Sequence, residues 1–352
     1  MKLAILVNTL IEDNQTVQAE SKFSSFLQSM GGSVRRLEQV PEDGPDMVFQ
    51  GEIRGKPITI LIECKSQGEP RYIREAAEQL REYSANYPGA YPMVIAPFIT
   101  ESTAELLNSK GLGYFDLAGN ALIDSGPIFI RVTGKTRKNP VQRKLKSLFS
   151  PRSSRILRVL LSNPKQRWLL RDLAKEAGVS IGLVSKVKEK LIELEFATES
   201  RDVNIAKAGE LLSEWSKNYS YSDNKIDRYY SPLSTSEFEK RLGVAGQLRG
   251  FRYALTMFSG ASKVEGFTRY NFVAFYYSGS AEEMVSDLNL KGTQSGANVW
   301  VMTPLDEGVY YGVQQVRDLA IASDVQLYLD LADFKGRGEE QAAAIRDQRL
   351  KY

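Results

Sequence analysis

The sequence contains no histidine among its 352 residues, and this absence narrows the chemistry that is open to the protein. Ser-His-Asp and Cys-His nucleophile sites are excluded, as are most transition-metal sites, because each depends on an imidazole. Any catalysis would therefore have to use carboxylates, lysine and a hard cation such as Mg²⁺.

Cysteine and long apolar runs are also scarce. Cys64 is the single cysteine, so we expect no internal disulfide and no cysteine-based zinc cluster. No run approaches the ~20 apolar residues of a membrane-spanning helix, and Asn8 and Thr9 interrupt the apolar start of the chain. We therefore expect a cytoplasmic protein with no membrane partner.

Positive charge is concentrated in the middle of a nearly neutral chain. Residues 1–124 carry 11 basic and 17 acidic side chains, whereas residues 125–230 carry 22 basic and 11 acidic ones, a net charge of +11. Residues 231–352 have a net charge of −2. Because a positive segment attracts a polyanion and releases its counterions, this distribution indicates contact with nucleic acid.

A helix-turn-helix pattern occupies the same basic segment. Trp168–Gly178 and Ser180–Glu195 read as two short helices, with Gly178 able to adopt the positive φ of the turn between them. Val203 and Ile205 then alternate as in the β-ribbon of a winged helix. We predict a winged-helix domain at 151–219, preceded by a basic linker at 134–150.

Ser180–Glu195 is the third helix of this pattern, after Arg155–Leu161 and Trp168–Gly178, and the winged-helix interpretation assigns roles to polar and basic residues on it and around it. The helix enters the major groove, and a phosphate-tracking linker leads into it. The predicted DNA-binding residues are Ser180, Gly182, Ser185 and Lys186 near the bases, Lys188 and Lys190 at phosphates, Arg201 at the wing tip, and Lys144, Lys146 and Arg152. The alternative is an ordinary solvated three-helix unit with a solvated linker.

The first 133 residues are predicted to form a separate domain with the order α-β-β-β-α-β. Asp46 lies at one strand, and Glu63 and Lys65 lie two residues apart at the end of another, which places both on one face. Two carboxylates and an ammonium at this point suit a hydrated Mg²⁺ ion and an attacking water.

This arrangement resembles the PD-(D/E)XK nuclease superfamily in motif and in element order. Gln79 and Tyr83, spaced i, i+4, resemble the Gln-x-x-x-Tyr pair of some branches. The resemblance implies catalytic Asp46, Glu63, Lys65, Gln79 and Tyr83, with Asp46 and Glu63 as ligands of Mg²⁺. The alternatives are an ordinary surface pair or a scaffold without activity.

The last part of the chain, 231–352, is predicted to be an α/β domain. Ser234-x-x-Glu237 forms a capping box at the start of a helix, and Ala281–Leu288 reads as another helix. Phe272–Tyr277, Asn298–Thr303 and Val309–Val316 look like strands. Capping at Ser102-x-x-Glu105 likewise predicts the start of a helix in the first domain.

Several segments resemble AbiEi-type proteins, the antitoxin and regulator component of bacterial type IV toxin–antitoxin systems. They are Asp116–Asn120 (DLAGN), Ser295–Val299, Val325–Leu331 and Gly336–Ala342. The resemblance implies autoregulation of a toxin operon through double-stranded DNA, and a nucleotidyltransferase-type toxin as partner.

These observations predict a mixed α/β (α+β) protein with a PD-(D/E)XK-like first domain, a central winged helix and an α/β last domain. The leading interpretation is a DNA-binding antitoxin and autorepressor that needs no cofactor. The rival is a Mg²⁺-dependent DNA endonuclease delivered by its winged helix. A third interpretation makes the last domain a surface for a partner or a homodimer.

Overall fold

The computed structural model describes residues 2–41, 43–135, 147–265, 269–293 and 295–352, with side chains from Thr16 onward. These residues form two compact units. The first consists of residues 2–135 with 193–195, and the second of residues 147–192 and 196–352. Each unit contains a sheet with both parallel and antiparallel strands, which confirms the mixed α/β class.

The first unit is built on a sheet whose described strands follow one another in sequence order, from β1 to β7. The outer strands pair antiparallel, whereas β3, β4 and β5 are parallel and are joined by helical crossovers. The elements are α1 (Lys2–Ser29), β1 (Gly32–Arg36), β2 (Met47–Ile53), β3 (Lys56–Cys64), α2 (Pro70–Ser84), β4 (Tyr91–Ala96), α3 (Glu101–Ser109), β5 (Gly113–Asp116), β6 (Ala121–Ser125) and β7 (Ile128–Val132). The first six have the αβββαβ order predicted from the sequence.

Helices cover both faces of this sheet, which explains why β3 and β4 are almost continuously apolar. On one face, Phe23 of α1 is fully buried against Phe49 and Phe115. On the other, Ile73 of α2 packs into the cluster that contains Leu61. The ends of β2 and β3 are therefore held rigidly between two hydrophobic layers.

The start of α3 differs from the prediction. Thr100, not Ser102, is the N-cap, and its Oγ1 accepts a hydrogen bond from the backbone N–H of Thr103 at 3.3 Å. The predicted Ser102-x-x-Glu105 capping box was wrong because both of its residues already lie inside the helix.

The second unit begins with short helices followed by a small hairpin. They are α4 (Pro151–Ser162), α5 (Leu170–Glu176), α6 (Ile181–Glu193) and, after the hairpin, α7 (Ala208–Lys217). Gly178 joins α5 to α6 with φ +62°, as its predicted role in the turn requires. Antiparallel bridges join Ala197 to Ile205 and Trp168 to Val203, so the hairpin is tied to the segment before α5.

A second sheet forms the rest of this unit, with the strand order β11-β8-β12-β10-β9-β14-β13. Its elements are β8 (Lys225–Tyr230), α8 (Thr235–Arg249), β9 (Arg252–Thr256), α9 (Met257–Val264), β10 (Val273–Ser278), α10 (Ala281–Leu288), β11 (Lys291–Gly292), β12 (Val299–Thr303), β13 (Gln314–Val316), β14 (Leu319–Ile321), α11 (Asp324–Ala332), α12 (Arg337–Ala344) and a π-helical end at Ile345–Leu350. The capping box of Ser234 and Glu237 and the bounds of α10 are confirmed.

The strand predicted at Val309–Val316 is present only in its last three residues, as β13. The preceding part is a 3₁₀ turn, Glu307–Tyr310, whose N-cap is Asp306. Among the described residues, no helix is both long enough and apolar enough to cross a bilayer.

Candidate nucleic-acid interface

The first turns of α6 present a polar surface opposite an apolar one. Val184, Val187 and Leu191 are buried at helical spacing against the rest of the second unit. That packing leaves Ser180, Gly182 and Lys186 exposed, with Ser185 half-buried beside them. Ile181, also at the helix start, is 50% exposed although it is apolar.

The helix begins in the way its sequence predicts. The Ser180 side chain accepts a hydrogen bond from the backbone N–H of Leu183 at 3.3 Å, which satisfies one of the free donors of the first turn. A Cβ atom added at Gly182 would meet nothing within 4 Å, so the surface there is open. The start of α6 is therefore a capped, unobstructed surface within the second unit.

Two of the lysines predicted at phosphates are engaged with the protein. The Lys188 ammonium donates to the carbonyl oxygens of Ser200 at 2.5 Å and Arg201 at 3.1 Å. The Lys190 ammonium donates to the Ser147 hydroxyl at 2.7 Å. Lys186, by contrast, extends from the exposed side of the helix.

The tip of the hairpin is a compact polar loop that exposes Arg201. The Thr198 hydroxyl donates to the Asn204 side chain at 2.9 Å, and the Ser200 hydroxyl donates to the Asp202 carbonyl at 2.8 Å. These bonds close the loop beneath Arg201, which is placed at the tip as predicted.

Further exposed basic residues surround the helices of this unit. Arg152 is exposed in the first turn of α4, whereas Lys144 and Lys146 lie outside the described residues. Sequence reasoning did not single out Arg167 and Arg171, which are exposed at the start of α5. Their signal was available, because both belong to a run from 125 to 171 that contains thirteen Lys or Arg and no acidic residue.

A second group of predicted residues meets at one edge of the sheet in the first unit. Met47 pairs with Ile62 across β2 and β3, which brings Asp46 and Glu63 to the same end of the two strands. The Asp46 carboxylate accepts a hydrogen bond from the backbone N–H of Cys64 at 2.7 Å.

Lys65 links the two strands of this group to α2. Its ammonium donates to the Glu63 carboxylate at 2.8 Å and to the Gln79 side-chain oxygen at 2.6 Å. Glu63, Lys65 and Gln79 are thus joined by hydrogen bonds, and Asp46 lies at the same end of the neighbouring strand. Tyr83 lies one turn further along α2 and packs against the hydrophobic cluster beneath that helix.

Burial controls the ionisation of this group. Burial raises the pKa of the Glu63 carboxyl, the hydrogen bond from Lys65 lowers it, and the Asp46 charge raises it. Burial also raises the pKa of the Tyr83 hydroxyl, and the charges of Glu63 and Asp46 add to this effect. Burial likewise raises the pKa of the Cys64 thiol, which makes it a poor nucleophile near neutral pH.

At this edge of the sheet, the side chains available to a hard cation are the two carboxylates of Asp46 and Glu63. Within the described part of the chain, no group of three or more acidic or cysteine side chains is arranged to hold a metal ion. Mg²⁺ nevertheless binds proteins through one or two carboxylates and keeps several waters. Asp46 and Glu63 fit that requirement, although Lys65 competes for Glu63.

The Asp116–Asn120 segment is a structural turn. The fully buried Asp116 carboxylate accepts hydrogen bonds from the backbone N–H groups of Ala118, Gly119 and Asn120, at 2.9 to 3.0 Å. The Asn120 side chain in turn donates to the Lys135 carbonyl and accepts from the Lys135 N–H, both at 2.9 Å. This pattern ties three backbone segments together.

Comparison with known families assigns the last part of the chain. Residues 204–351 match the model of a family described as a transcriptional regulator, the AbiEi antitoxin of type IV toxin–antitoxin systems. The resemblance noted at Ser295–Val299, Val325–Leu331 and Gly336–Ala342 lies within this match and is confirmed. Asp116–Asn120 and α6 lie before it. No curated protein and no solved structure matches the chain.

Proposed function

We propose that this protein is a DNA-binding transcriptional regulator that acts as the antitoxin and autorepressor of a type IV toxin–antitoxin operon, with residues 151–219 as a winged helix. The observation that carries the proposal is the open, polar first turn of α6 within the most basic segment of the chain. The family match at 204–351 supports the regulatory role.

The exposed residues divide between base edges and phosphates. Ser180, Gly182, Ser185 and Lys186 lie where the start of a recognition helix meets base edges, and Ile181 offers an apolar contact for a thymine methyl group. Arg152, Arg167 and Arg171 contact phosphates, which position the module without reading sequence. Arg201 at the hairpin tip reaches the backbone or the minor groove.

Double-stranded DNA is the partner that this surface requires, and no cofactor takes part in the contact. The description of the family matched by residues 204–351, an antitoxin of a type IV system, supports a toxin as the second partner. A toxin of the nucleotidyltransferase type is what the resemblance of the sequence implies. The last domain supplies the surface for that toxin or for a homodimer. The proposed place of action is the cytoplasm.

The test is binding of the DNA upstream of the protein's own reading frame at several salt concentrations. We expect Lys186→Ala to lower the affinity, and Arg167→Ala to lower it and to reduce the slope of log K against log [salt] by about 0.9, the value for one lost phosphate contact. Lys240→Ala on α8 removes an exposed cation outside the proposed interface and is the control. An unchanged affinity in Lys186→Ala, an unchanged slope in Arg167→Ala, or an equal change in the control, contradicts the proposal.

A Mg²⁺-dependent DNA endonuclease is the second candidate, favoured by the convergence of Asp46, Glu63 and Lys65 at one sheet edge. Asp46 and Glu63 would hold the cation, which supplies a Lewis acid and an activated water when bound. Lys65, held by Gln79, would orient that water and offset charge that develops on the phosphate.

Cleavage of plasmid DNA with Mg²⁺ or Mn²⁺ tests this candidate. The wild-type protein and Lys56→Ala, which alters an exposed lysine at the other end of β3, are expected to cut equally. Asp46→Ala and Lys65→Ala are expected to be inactive. Absence of cleavage by the wild type, or equal cleavage by all four proteins, rejects the endonuclease.

A further inference from the structure

Lys188 lies on α6 only two residues from Lys186 and makes a different set of contacts. Its ammonium donates to two main-chain carbonyl groups, those of Ser200 and Arg201, at 2.5 and 3.1 Å. Both acceptors belong to the loop at 198–204, defined here as the wing loop. An ammonium has three donors, so two of the three are directed into this loop.

The wing loop is held at a second point on its other side. Val203 and Trp168 exchange backbone hydrogen bonds at 2.9 and 2.7 Å, which fixes the return strand of the loop to the segment before α5. Val203 is buried, whereas Glu199, Ser200 and Arg201 are exposed. The Thr198 and Ser200 hydroxyl groups form the hydrogen bonds within the tip, and Lys188 is the side chain that links the tip to α6.

We infer that Lys188 is a positioning residue that clamps the wing loop to α6, so that Arg201 is held at a defined distance from the recognition helix. The inference rests on the proposed DNA-binding function and refines it. Lys188 then contributes to DNA affinity through Arg201, whereas Lys186 contributes through its own contact. A free phosphate-contacting lysine would not direct two donors at carbonyl groups of its own chain.

Hydrogen exchange of the DNA-free protein tests the clamp directly. Lys188→Met removes the ammonium and keeps most of the apolar stem, and Lys186→Met is the matched control on the same helix. We expect the backbone amide of Val203, which donates to the Trp168 carbonyl, to exchange at least about threefold faster in Lys188→Met and at the wild-type rate in Lys186→Met. Unchanged exchange in Lys188→Met overturns the inference.

A double-mutant cycle on duplex DNA tests the route by which Lys188 acts. The probe is a mixed-sequence duplex several helical turns long, titrated at several salt concentrations. Lys188→Met alone is expected to lower affinity about three- to tenfold, comparable to the loss of a phosphate contact or two. In an Arg201→Ala background the same change is expected to have no further effect on affinity or salt slope, because the residue that it positions is already gone.

Additivity is the result that overturns the positioning role. If Lys188→Met lowers the salt slope equally with and without Arg201, Lys188 contacts phosphate itself. Lys186→Met must remain additive with Arg201→Ala in the same titrations. A wild-type protein with no affinity for duplex DNA overturns the proposed function instead, and the exchange rates of the free protein separate that failure from failure of the clamp.

Discussion

Glu63 shows how a single buried carboxylate depends on its neighbours. It is 5% exposed, and burial raises the pKa of its carboxyl because the charged form loses its hydration. The Lys65 hydrogen bond acts in the opposite direction and favours the ionised form. The interaction with Lys65 is therefore the main one that stabilises the ionised form of Glu63 in the folded state. This holds whether or not the two residues take part in catalysis.

Replacing Lys65 by Met is expected to destabilise the protein in a pH-dependent way. The pKa of Glu63 then rises further above its unfolded value, so the ionised form opposes folding as pH rises through the folded pKa. We expect a loss of about 2 kcal/mol near pH 8 and almost none at a pH below about 4, where the carboxyl is protonated in both states.

Urea unfolding followed by far-UV circular dichroism at several pH values measures this dependence. Lys56→Met, on the exposed end of β3, is the control and is expected to have little effect at any pH. A Lys65→Met protein that loses the same stability at both ends of the pH range would show that Glu63 does not depend on Lys65.

At the scale of elements, sequence patterns predicted the features that interactions between neighbouring residues of the chain determine. The αβββαβ order of the first unit and the bounds of α10 at Ala281–Leu288 agree with the prediction, since both follow from short periodic runs between turn residues. The buried and exposed faces of α6 also follow from helical spacing alone. The exposed residues of the candidate nucleic-acid interface could therefore be predicted from the sequence.

The caps, turns and side-chain contacts that the sequence patterns did not predict are determined by residues far apart in the sequence. Asp306 caps the 3₁₀ turn that stands in place of the predicted strand, and its carboxylate accepts three hydrogen bonds from the Arg155 guanidinium, at 2.7 to 3.0 Å. Asp116 similarly accepts a bond from the N–H of Ile99 at 3.2 Å, next to the true cap of α3 at Thr100. The engagement of Lys188 and Lys190 is likewise a tertiary property that spacing does not reveal.

The turn at Asp116–Asn120 carries a prediction about the stability of the first unit. Asp116→Ala leaves the buried backbone N–H groups of Ile99 and Asn120 without an acceptor, so we expect a loss of about 3–4 kcal/mol. Asp124→Ala changes an exposed carboxylate on neighbouring β6 and is expected to cost less than about 0.5 kcal/mol.

Tryptophan fluorescence separates this effect from unfolding of the rest of the chain. All three tryptophans, Trp168, Trp215 and Trp300, belong to the second unit, so their emission follows that unit. We expect Asp116→Ala to shift the circular-dichroism transition and to leave the fluorescence transition in place. A fluorescence shift as large as the dichroism shift would contradict a local role for the turn.

At the scale of the whole molecule, a buried polar network joins α4 to the sheet domain that follows it. The Arg158 guanidinium donates to the Gln326 side-chain oxygen at 2.6 Å and to the Ser154 hydroxyl at 2.7 Å, and lies over the Trp215 ring. Gln326 in turn donates to Asp330, whose carboxylate also accepts from the Tyr276 hydroxyl. Burial lowers the pKa of Arg158 and raises that of Asp330.

This network crosses the boundary predicted between the central and last domains. Gln326 and Asp330 belong to the family-like segment Val325–Leu331, whereas Arg158 precedes the matched residues 204–351. The division at 219–231 stays a prediction, but α4 and α11 share one set of buried hydrogen bonds within the second unit. A toxin or a second copy bound to the last domain would thus bind a structural unit that also includes α4.

The consequence is that Arg158 matters more for stability than its more exposed neighbour Arg155. Arg158→Met leaves the buried Gln326 oxygen without its charged donor, so we expect a loss of about 3–5 kcal/mol and a lower denaturant midpoint in tryptophan fluorescence. Arg155→Met, which breaks the partly exposed pair with Asp306, is expected to cost about 1–2 kcal/mol.

Adding Gln326→Met to Arg158→Met is expected to cost less than the sum of the two single changes, because both remove the same hydrogen bond between Arg158 and Gln326. Equal midpoints for Arg158→Met and Arg155→Met would show that the buried bond between Arg158 and Gln326 joins α4 to the sheet domain no more strongly than the partly exposed pair of Arg155 and Asp306 does.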